Sequence, residues 1–234
     1  MISVIIPTYN EEENIERCLL HLTHQTIPRG EYEIIVVDGG SRDATTEIAK
    51  RYADRVMEQK SKGVGGARND GIMVAKGDII ATTDADAVVP NFWLERIKGY
   101  IESGGAVGVC GPNYPVEKKI KAILLYGFIK AFHTAFYKMG ITGMPGNNTA
   151  FRKDVFFDVG MYNTELPYLD DIEFGLRLKT RGKVVYDPSL IVWVSARRME
   201  EKGYLRVLFL WFKGDLRLLG GKSPGKAKYF RKST

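Results

Sequence analysis

Short apolar runs rich in β-branched residues alternate with helix-like segments along the first half of the chain. Residues 2–6 and 33–38 read as buried strands, whereas residues 11–22 and 43–52 show the spacing of amphipathic helices. Strands that alternate with helices predict a parallel sheet with right-handed crossovers. We therefore predict an α/β fold in which a mostly parallel, Rossmann-like sheet is flanked by helices.

Polar segments follow three of the predicted strands. They are Pro7–Glu11, Asp38–Ser41 and Asp84–Asp86. In open α/β sheets, ligands bind beyond the carboxyl ends of the strands. We expect the three segments to line a single crevice.

Asp84 and Asp86 lie just after an apolar, strand-like run. If the segment is extended, both carboxylates point the same way. Such a pair offers hard oxygen ligands that suit Mg²⁺ or Mn²⁺ carrying a phosphate. The alternative is that both residues cap a turn or the next helix, which is the more frequent role of an isolated Asp-x-Asp.

Two further segments carry candidate chemistry. The glycines of the stretch 62–69 would let the backbone approach a ligand closely, although neither the Walker nor the dinucleotide spacing is present. Arg68 lies early in a predicted helix that runs to Ala75, where its guanidinium can reach a diphosphate or an acidic neighbour. In the segment Asp170-Asp171-Ile172-Glu173, Asp170 and Glu173 fit a capping box. Asp171 then has no structural role and is a candidate general base.

Positive charge is concentrated at the C-terminal end. Residues 196–234 contain 11 Lys/Arg and 3 Asp/Glu, so they carry 11 − 3 = +8 of a chain total of +6, which leaves −2 for residues 1–195. A basic end of this kind meets lipid phosphate, an anionic membrane or nucleic acid, or is simply solvated.

Two segments, 118–138 and 203–219, are amphipathic and rich in both aromatic and basic residues. Each is either a core-facing helix or a helix on a membrane surface. No apolar run approaches the ~20 residues that cross a bilayer. Cys18 and Cys110 lie in apolar contexts without CxxC spacing, which favours reduced core thiols over a disulfide and places the protein in the cytoplasm.

Five short motifs occur in a fixed order. They are Pro7-Thr8-Tyr9-Asn10-Glu11-Glu12, Val37-Asp38-Gly39-Gly40-Ser41, Gly63 followed by Ala67-Arg68-Asn69, Asp84-Ala85-Asp86, and Asp170-Asp171-Ile172-Glu173. Each is weak alone, but together they resemble family 2 of the glycosyltransferases over roughly residues 2–195. The resemblance implies a GT-A fold and inversion of configuration at the transferred sugar.

The resemblance also implies roles for individual residues. The nucleotide site would comprise Pro7, Thr8, Tyr9, Glu11, Asp38, Gly39, Arg68 and Asp84. Asp86 would bind Mn²⁺ or Mg²⁺ beside the departing diphosphate, and Asp171 would deprotonate the acceptor hydroxyl. Candidates for contacts with the acceptor or the diphosphate are Asn147, Asp170, Arg197 and Arg198. For the two arginines the alternative is a solvated basic turn.

On the same basis, residues 1–195 would form the glycosyltransferase domain, with a nucleotide-sugar-binding half (1–111) and an acceptor-side half (112–195). Residues 196–234 would form a basic amphipathic helix and a tail. The Gln-x-x-Arg-Trp motif of processive synthases is missing, which favours transfer of a single sugar. The donor would be a UDP-sugar or, second, GDP-mannose.

The acceptor would be a saccharide or a polyprenyl phosphate. Peripheral contact with anionic lipid would then place the protein at the cytoplasmic membrane face. One rival hypothesis is a non-catalytic nucleotide-sugar-binding protein, which the intact Asp84, Asp86 and Asp171 disfavour. A nucleic-acid-binding protein is disfavoured because the basic end lies outside the motif-bearing segments.

Overall fold

A computed structural model describes residues 1–117, 119–138 and 143–220, apart from the side chains of Asp215, Leu216 and Leu219. The predictions for Lys118 and for the tail 221–234 lie outside the described residues.

The described residues form ten strands and nine α-helices. The strands are β1 (Ile2–Thr8), β2 (Tyr32–Asp38), β3 (Arg55–Glu58), β4 (Ile79–Thr82), β5 (Ala87–Val88), β6 (Gly108–Cys110), β7 (Asn113–Pro115), β8 (Thr149–Arg152), β9 (Val184–Tyr186) and β10 (Val192–Val194). The helices are α1 (Ile15–Thr23), α2 (Thr45–Ala49), α3 (Gly63–Val74), α4 (Trp93–Lys98), α5 (Ile120–Lys138), α6 (Lys153–Asp158), α7 (Asp170–Lys179), α8 (Arg197–Lys202) and α9 (Tyr204–Leu219). A π-helical turn follows α4.

Seven strands form the central sheet, in the order β3-β2-β1-β4-β8-β6-β9. The first four are mutually parallel, β8 runs antiparallel to both of its neighbours, and β9 is parallel to β6. The predicted mostly parallel, helix-flanked sheet is therefore confirmed. A second sheet, β5-β10-β7, was not predicted because strands of two or three residues carry no readable periodicity.

Both faces of the central sheet are covered. Along β1, Val4 and Ile6 lie in one core cluster, and Ile5 between them lies in the other. Successive side chains of a strand point to opposite faces, so a strand buried on both sides must be apolar at every position. This requirement explains the unbroken Ile/Val runs of β1 and β2.

The first strand extends further than predicted. We expected Pro7 to end it, but β1 continues to Thr8, and Pro7 is paired with Val37 of β2. Strand β4 pairs with β1 only from Ile2 to Ile5. Pro7 lies beyond the last residue of β1 that pairs with β4, so its missing N–H leaves no hydrogen bond to β4 unmade.

Two segments that line the site are helical. The predicted helix that contains Arg68 is α3, which begins at Gly63 and therefore includes most of the glycine-rich stretch. Arg197 and Arg198, for which a basic turn was one alternative, are the first residues of helix α8.

Gly71 tests how closely α3 packs on the sheet. A Cβ at this position would lie 2.6 Å from Cγ2 of Ile5 and 2.9 Å from Cγ2 of Val37. We predict that Gly71→Ala lowers the free energy of unfolding by about 1–3 kcal/mol, because overpacking outweighs the better helix propensity of Ala. Urea unfolding measures the change.

Gly127 of α5 is the matched control. The nearest atom to a Cβ there is the Tyr114 hydroxyl, at 3.9 Å. Gly127→Ala should therefore raise the free energy of unfolding by up to about 1 kcal/mol. Equal effects of the two substitutions would show that α3 packs more loosely than described.

Candidate functional site

The carboxyl ends of β1 and β2 are joined by hydrogen bonds. The Asn10 N–H donates to Oγ of Ser41 at 2.8 Å, and the Glu11 N–H donates to Oγ1 of Thr45 at 2.8 Å. The Gly39 N–H donates to the carbonyl of Thr8 at 2.8 Å. The structure therefore brings together the two segments that the topology predicted to share a crevice.

Asp38 shapes the loop that follows β2. Its carboxylate accepts hydrogen bonds from the N–H groups of Gly40 and Ser41 at 3.0 and 2.8 Å, and from the Ser41 hydroxyl at 2.5 Å. The side chain is therefore rigidly held at the edge of the crevice. Its contact with a nucleotide base stays a prediction.

Thr8 lines the same edge and is 6% exposed. Among the described residues its hydroxyl oxygen has no hydrogen-bond partner. Buried polar groups normally find a partner, so an orphaned hydroxyl in a crevice is an observation that favours a ligand there. Pro7 and Tyr9, on either side of Thr8, are partly exposed.

We predicted that Asp84 and Asp86 lie in an extended segment, but the structure shows that they do not. Residues 85 and 86 form a turn, closed by a hydrogen bond from the Ala87 N–H to the carbonyl of Asp84 at 3.1 Å. The turn returns the chain into β5, which pairs antiparallel with β10. The two carboxylates contact different arginines, Arg68 and Arg197.

Asp86 is a buried carboxylate whose charge is poorly compensated by the protein. Burial and the nearby charge of Asp84 raise the pKa of Asp86 to about 6. The Arg197 guanidinium lies 3.8 Å from Asp86 and donates to Oε1 of Glu11 at 2.5 Å. The positive charge of Arg198 and, to a smaller extent, that of Arg197 oppose this shift and lower the pKa of Asp86.

The position of Arg197 follows from the second sheet. Val194 of β10 pairs with Ala87 of β5, the residue directly after Asp86. The turn after β10 is held by Glu117, which accepts hydrogen bonds from the Ser195 hydroxyl and the Ala196 N–H, both at 2.8 Å. Helix α8 therefore begins beside Asp86.

Arg68 is the centre of the second charged group. Its side chain is 5% exposed and its guanidinium contacts Asp84 at 3.2 Å and Asp170 at 3.5 Å. Burial lowers the pKa of Arg68, but the charges of the two carboxylates outweigh burial and raise it. A cation–π contact with Tyr162, at 5.6 Å from the ring centroid, completes the surroundings.

The capping box predicted at 170–173 is wrong. Asp170 is the first helical residue, Leu169 occupies the N-cap position without a side-chain cap, and Glu173 pairs with Arg177 at 2.6 Å. Asp170 is drawn to Arg68 instead, because a buried guanidinium needs a carboxylate more than an N-terminal N–H does. Burial and the charge of Asp171 raise the pKa of Asp170 to about 6, against the opposing charge of Arg68.

Asp171 has a structural contact that the sequence did not indicate. Its Oδ2 accepts a hydrogen bond from the Gly146 N–H at 2.7 Å, and its Oδ1 accepts one from the Ile172 N–H at 2.9 Å. Burial raises the pKa of Asp171, although the charge of Arg68 and both hydrogen bonds lower it. A held carboxylate with a raised pKa is suited to accept a proton.

The glycines around Arg68 leave room for these side chains. A Cβ at Gly146 would collide with the Arg68 guanidinium, and a Cβ at Gly65 would lie 2.6 Å from Oδ2 of Asp170. The glycine-rich stretch thus admits an acidic side chain of the protein, whereas we had expected it to admit a ligand.

The loop 143–148 contributes residues that sequence reasoning missed. Asn148 is fully buried, accepts a hydrogen bond from Nε1 of Trp93 at 2.9 Å and donates to the carbonyl of Leu190 at 2.7 Å. Asn147, a predicted acceptor contact, accepts from Nδ2 of Asn113 at 2.8 Å. The Gly-Asn-Asn sequence indicated a turn but not these long-range partners.

A cavity of about 330 Å³ opens at the crevice, and it is lined by Asn10, Glu11, Glu12, Glu13, Arg42, Asp43 and Arg197. Within the described part of the chain, no group of three or more His, Cys, Asp or Glu side chains is arranged to hold a metal ion unaided. Asp84 and Asp86 do suit a Mg²⁺ or Mn²⁺ ion that takes its other ligands from diphosphate and water, because such ions often use only one or two carboxylates.

The central sheet, its flanking helices and the acidic crevice at the strand ends belong to the GT-A architecture. The sequence model described as "Glycosyl transferase family 2" matches residues 3–160. The chain therefore belongs to family 2 of the glycosyltransferases and has the GT-A fold, as predicted.

Three known proteins illustrate this relationship. The chain is 43% identical over 118 residues to glycosyltransferase AglE of Haloferax volcanii, covering 48% of this chain and 38% of that protein. It is 27% identical over 239 residues to the beta-monoglucosyldiacylglycerol synthase of Trichormus variabilis, covering 90% of this chain and 50% of that one. It also resembles mannosyltransferase PcManGT of Pyrobaculum calidifontis, solved with GDP-Man and Mn²⁺, at TM-score 0.68 and 25% identity, covering 83% and 56% of the two chains.

The chain thus spans half or less of the length of the two curated relatives. Throughout the described segments, no helix combines the length and apolar character needed to cross a bilayer.

Replacing Arg68 tests the electrostatic centre of the site. We predict that Arg68→Met lowers the free energy of unfolding by about 3–5 kcal/mol, because buried carboxylates lose their counter-ion. The loss should be smaller below the pKa of about 6 of Asp170 than above it. Without Arg68 the native carboxylates bind protons more readily than the unfolded chain does, so acidification restores stability.

Arg152 is the matched control for this experiment. It pairs with Asp154 on the surface, where the two side chains are 50% and 60% exposed. Arg152→Met should change the unfolding free energy by at most about 1 kcal/mol at either pH. A similar, pH-independent loss in both variants would contradict the central role of Arg68.

Proposed function

We propose that this protein is an inverting glycosyltransferase that moves a single sugar from a nucleotide-diphosphate sugar to an acceptor hydroxyl or lipid phosphate. A UDP-sugar is the first donor candidate and GDP-mannose the second. One observation carries the proposal: the buried Arg68 joins Asp84, at the strand ends, to Asp170, the neighbour of Asp171. A donor-side carboxylate and a potential base are thereby brought to the same place.

Residues 1–111 form the donor half in this proposal, and residues 112–195 the acceptor half. The nucleotide contacts are Pro7, Thr8, Tyr9, Glu11, Asp38, Gly39, Arg68 and Asp84. Support comes from the unpartnered hydroxyl of Thr8 and from the rigid loop held by Asp38. Asn147, Asp170, Arg197 and Arg198 are assigned to the diphosphate and the acceptor.

Asp86, with Asp84, would hold Mg²⁺ or Mn²⁺. Such an ion, when bound, stabilises negative charge on the departing nucleoside diphosphate. Arg197 contacts both Glu11 and Asp86. We propose that it exchanges these carboxylates for the diphosphate when donor and metal bind. A cation held at Asp86 would replace the positive charge of Arg197 there, and the Arg197 guanidinium would then form charge-assisted hydrogen bonds with the diphosphate instead.

The reaction is a single displacement. The acceptor oxygen attacks the anomeric carbon from the face opposite the leaving group, and the bond from that carbon to the diphosphate oxygen breaks. Asp171 takes the proton that the acceptor hydroxyl loses. Because no covalent sugar–enzyme intermediate forms, the site needs no nucleophilic Ser or Cys.

The acceptor is proposed to be a saccharide or a lipid-linked phosphate at the cytoplasmic face of a membrane. The name of one relative, a beta-monoglucosyldiacylglycerol synthase, supports a lipid acceptor. Cys18 and Cys110 are both buried and unpaired, which agrees with a reducing compartment.

A panel of nucleotide sugars tests the donor class. With Mn²⁺ present, one UDP-sugar or GDP-mannose should raise the melting temperature, because a ligand that binds only the folded state stabilises it. Slow hydrolysis of the same donor would distinguish an enzyme from a binding protein without catalysis. If no nucleotide sugar shifts the melting temperature with either metal, the proposal is wrong.

Metal titrations test Asp86 and Arg197. Asp86→Ala should abolish Mn²⁺ binding measured by the spin-resonance signal of the free ion. Arg197→Gln should bind Mn²⁺ several-fold more tightly without donor, because a competing cation has gone. It should bind the donor about 10-fold more weakly with metal present, because a charge-assisted contact is lost. Lys202→Gln, on the same helix, should change neither, and unchanged metal affinity in Arg197→Gln would refute the exchange.

Asp171→Asn tests the base. It removes a proton acceptor and little volume, so turnover of the donor identified by the panel should fall about 10²–10⁴-fold while donor affinity stays unchanged. Asp154→Asn, on the exposed side of α6, serves as the control. Near-full activity of Asp171→Asn would transfer the assignment to Asp170.

A further inference from the structure

Large apolar side chains are exposed on two helices outside the site. They are 42% to 82% exposed and comprise Ile120, Ile123, Leu124 and Phe128 of α5, and Leu205, Phe209 and Phe212 of α9. We call these seven residues the apolar face. Residues 120, 124 and 128, and residues 205, 209 and 212, recur at helical spacing, so each helix presents a stripe to solvent.

The two helices are attached to the same part of the fold through α8. Tyr126 of α5 and Val207 of α9 are buried in the same core cluster. Lys119, just before α5, pairs at 2.7 Å with Glu200 of α8, and the Tyr204 hydroxyl donates to the same carboxylate at 3.3 Å. The inner faces of α5 and α9 are therefore attached to one core cluster, while the seven apolar side chains on their outer faces are exposed.

Basic side chains accompany the apolar face. The sequence of α5 contains no Asp or Glu, and that of α9 contains only Asp215. The basic residues are Lys121, Lys130 and Lys138 on α5, and Arg206, Lys213 and Arg217 on α9. In the sequence, residues 221–234 add five Lys/Arg and no acidic residue. Any surface that covers the apolar face must therefore be anionic around an apolar interior.

A groove lies along the C-terminal half of α5. Its volume is about 520 Å³ and it is lined by Tyr114, Gly127, Lys130, Ala131, Thr134, Ala135 and Lys138. Two lysine side chains beside an open groove suit a phosphate group. The groove adjoins the exposed apolar stripe of α5, so an apolar surface and a candidate phosphate-binding groove lie next to each other.

We propose that the apolar face docks on the surface of an anionic phospholipid bilayer, with α5 and α9 lying in the interface. Phospholipid supplies both required properties, an anionic headgroup layer and an acyl interior. A second copy of the chain fits poorly, because a two-fold interface through this face would oppose one set of Lys and Arg side chains to another.

The docked helix touches the acceptor side of the site. A Cβ at Gly214 of α9 would lie 2.5 Å from Cδ1 of Leu169 and 2.9 Å from Cε2 of Tyr168. These residues directly precede Asp170 and Asp171, and Leu169 has a left-handed φ of 59°. Resting on the proposed function, docking therefore supports the segment carrying the base and orients it toward a lipid acceptor.

Vesicle flotation tests the docking surface with the full chain. The protein should float with phosphatidylcholine vesicles that contain phosphatidylglycerol, and not with phosphatidylcholine alone. Phe209→Ser/Phe212→Ser should weaken partitioning at least about 10-fold through lost apolar burial. Arg206→Gln/Lys213→Gln should weaken it about 25-fold, at about 5-fold per charge, and added salt should weaken binding of the wild type.

Matched controls come from elsewhere on the surface. Leu20→Ser/Met73→Ser removes two exposed apolar side chains from α1 and α3, and Lys50→Gln/Lys183→Gln removes two distant charges. Both controls should float like the wild type. All variants must show the wild-type melting temperature, and donor-induced stabilisation without vesicles should persist in each of them.

Three outcomes would overturn the inference. They are absence of flotation by the wild type, unchanged flotation of Phe209→Ser/Phe212→Ser, and concentration-dependent dimerisation through the apolar face without lipid binding. The donor panel is independent of vesicles, so its failure would refute the proposed function and leave the flotation result standing. Conversely, failed flotation with intact donor stabilisation would refute only the docking surface.

Discussion

The ion pairs of Arg68 with Asp84 and Asp170 are the interaction on which the site depends. A guanidinium that is almost completely buried requires carboxylate partners, and here they come from segments about ninety residues apart in sequence, at residues 84 and 170. Satisfying one side chain therefore fixes the end of the central sheet relative to the start of α7. Asp171 adjoins this pair, and the Gly146 N–H completes its position. The ion pairs that hold the two segments together in the fold therefore also position the carboxylates to which the proposed function assigns catalytic roles.

The second guanidinium works differently. Arg197 is one-quarter exposed, and it lies between Glu11 and Asp86 rather than deep in the fold. Arg197 is held by a hydrogen bond to Glu11 and by the charge of Asp86, and it is in contact with solvent, whereas Arg68 is almost completely buried between its two partners. The site thus combines one buried and one partly exposed positive charge around an acidic crevice. In the proposed function, the partly exposed guanidinium is the one that would exchange partners when a metal and a diphosphate bind.

The C-terminal helices connect the Asp86 end of the site to the segment that precedes Asp170. Strand β10 places α8 beside Asp86, and α9 follows α8 directly and packs Gly214 against Tyr168 and Leu169. The continuous segment from α8 to α9 therefore contacts Asp86 through Arg197 and the residues before Asp170 through Gly214.

Local patterns in the sequence determined the α/β class, the parallel arrangement of the first strands and the crevice at their carboxyl ends, because periodicity and β-branched runs report directly on burial. They misjudged residues whose partners are distant. The sequence predicted Asp170 as a helix cap, but in the structure its carboxylate forms an ion pair with Arg68. It predicted Asp84 and Asp86 in an extended segment, but the pairing of β5 with β10 requires a turn there. The same periodicity did not decide whether α5 is a core-facing helix or a surface helix, because an apolar stripe does not show which surface covers it. Only the tertiary structure decided these points, because long-range ion pairs and the pairing of very short strands outweigh local propensity.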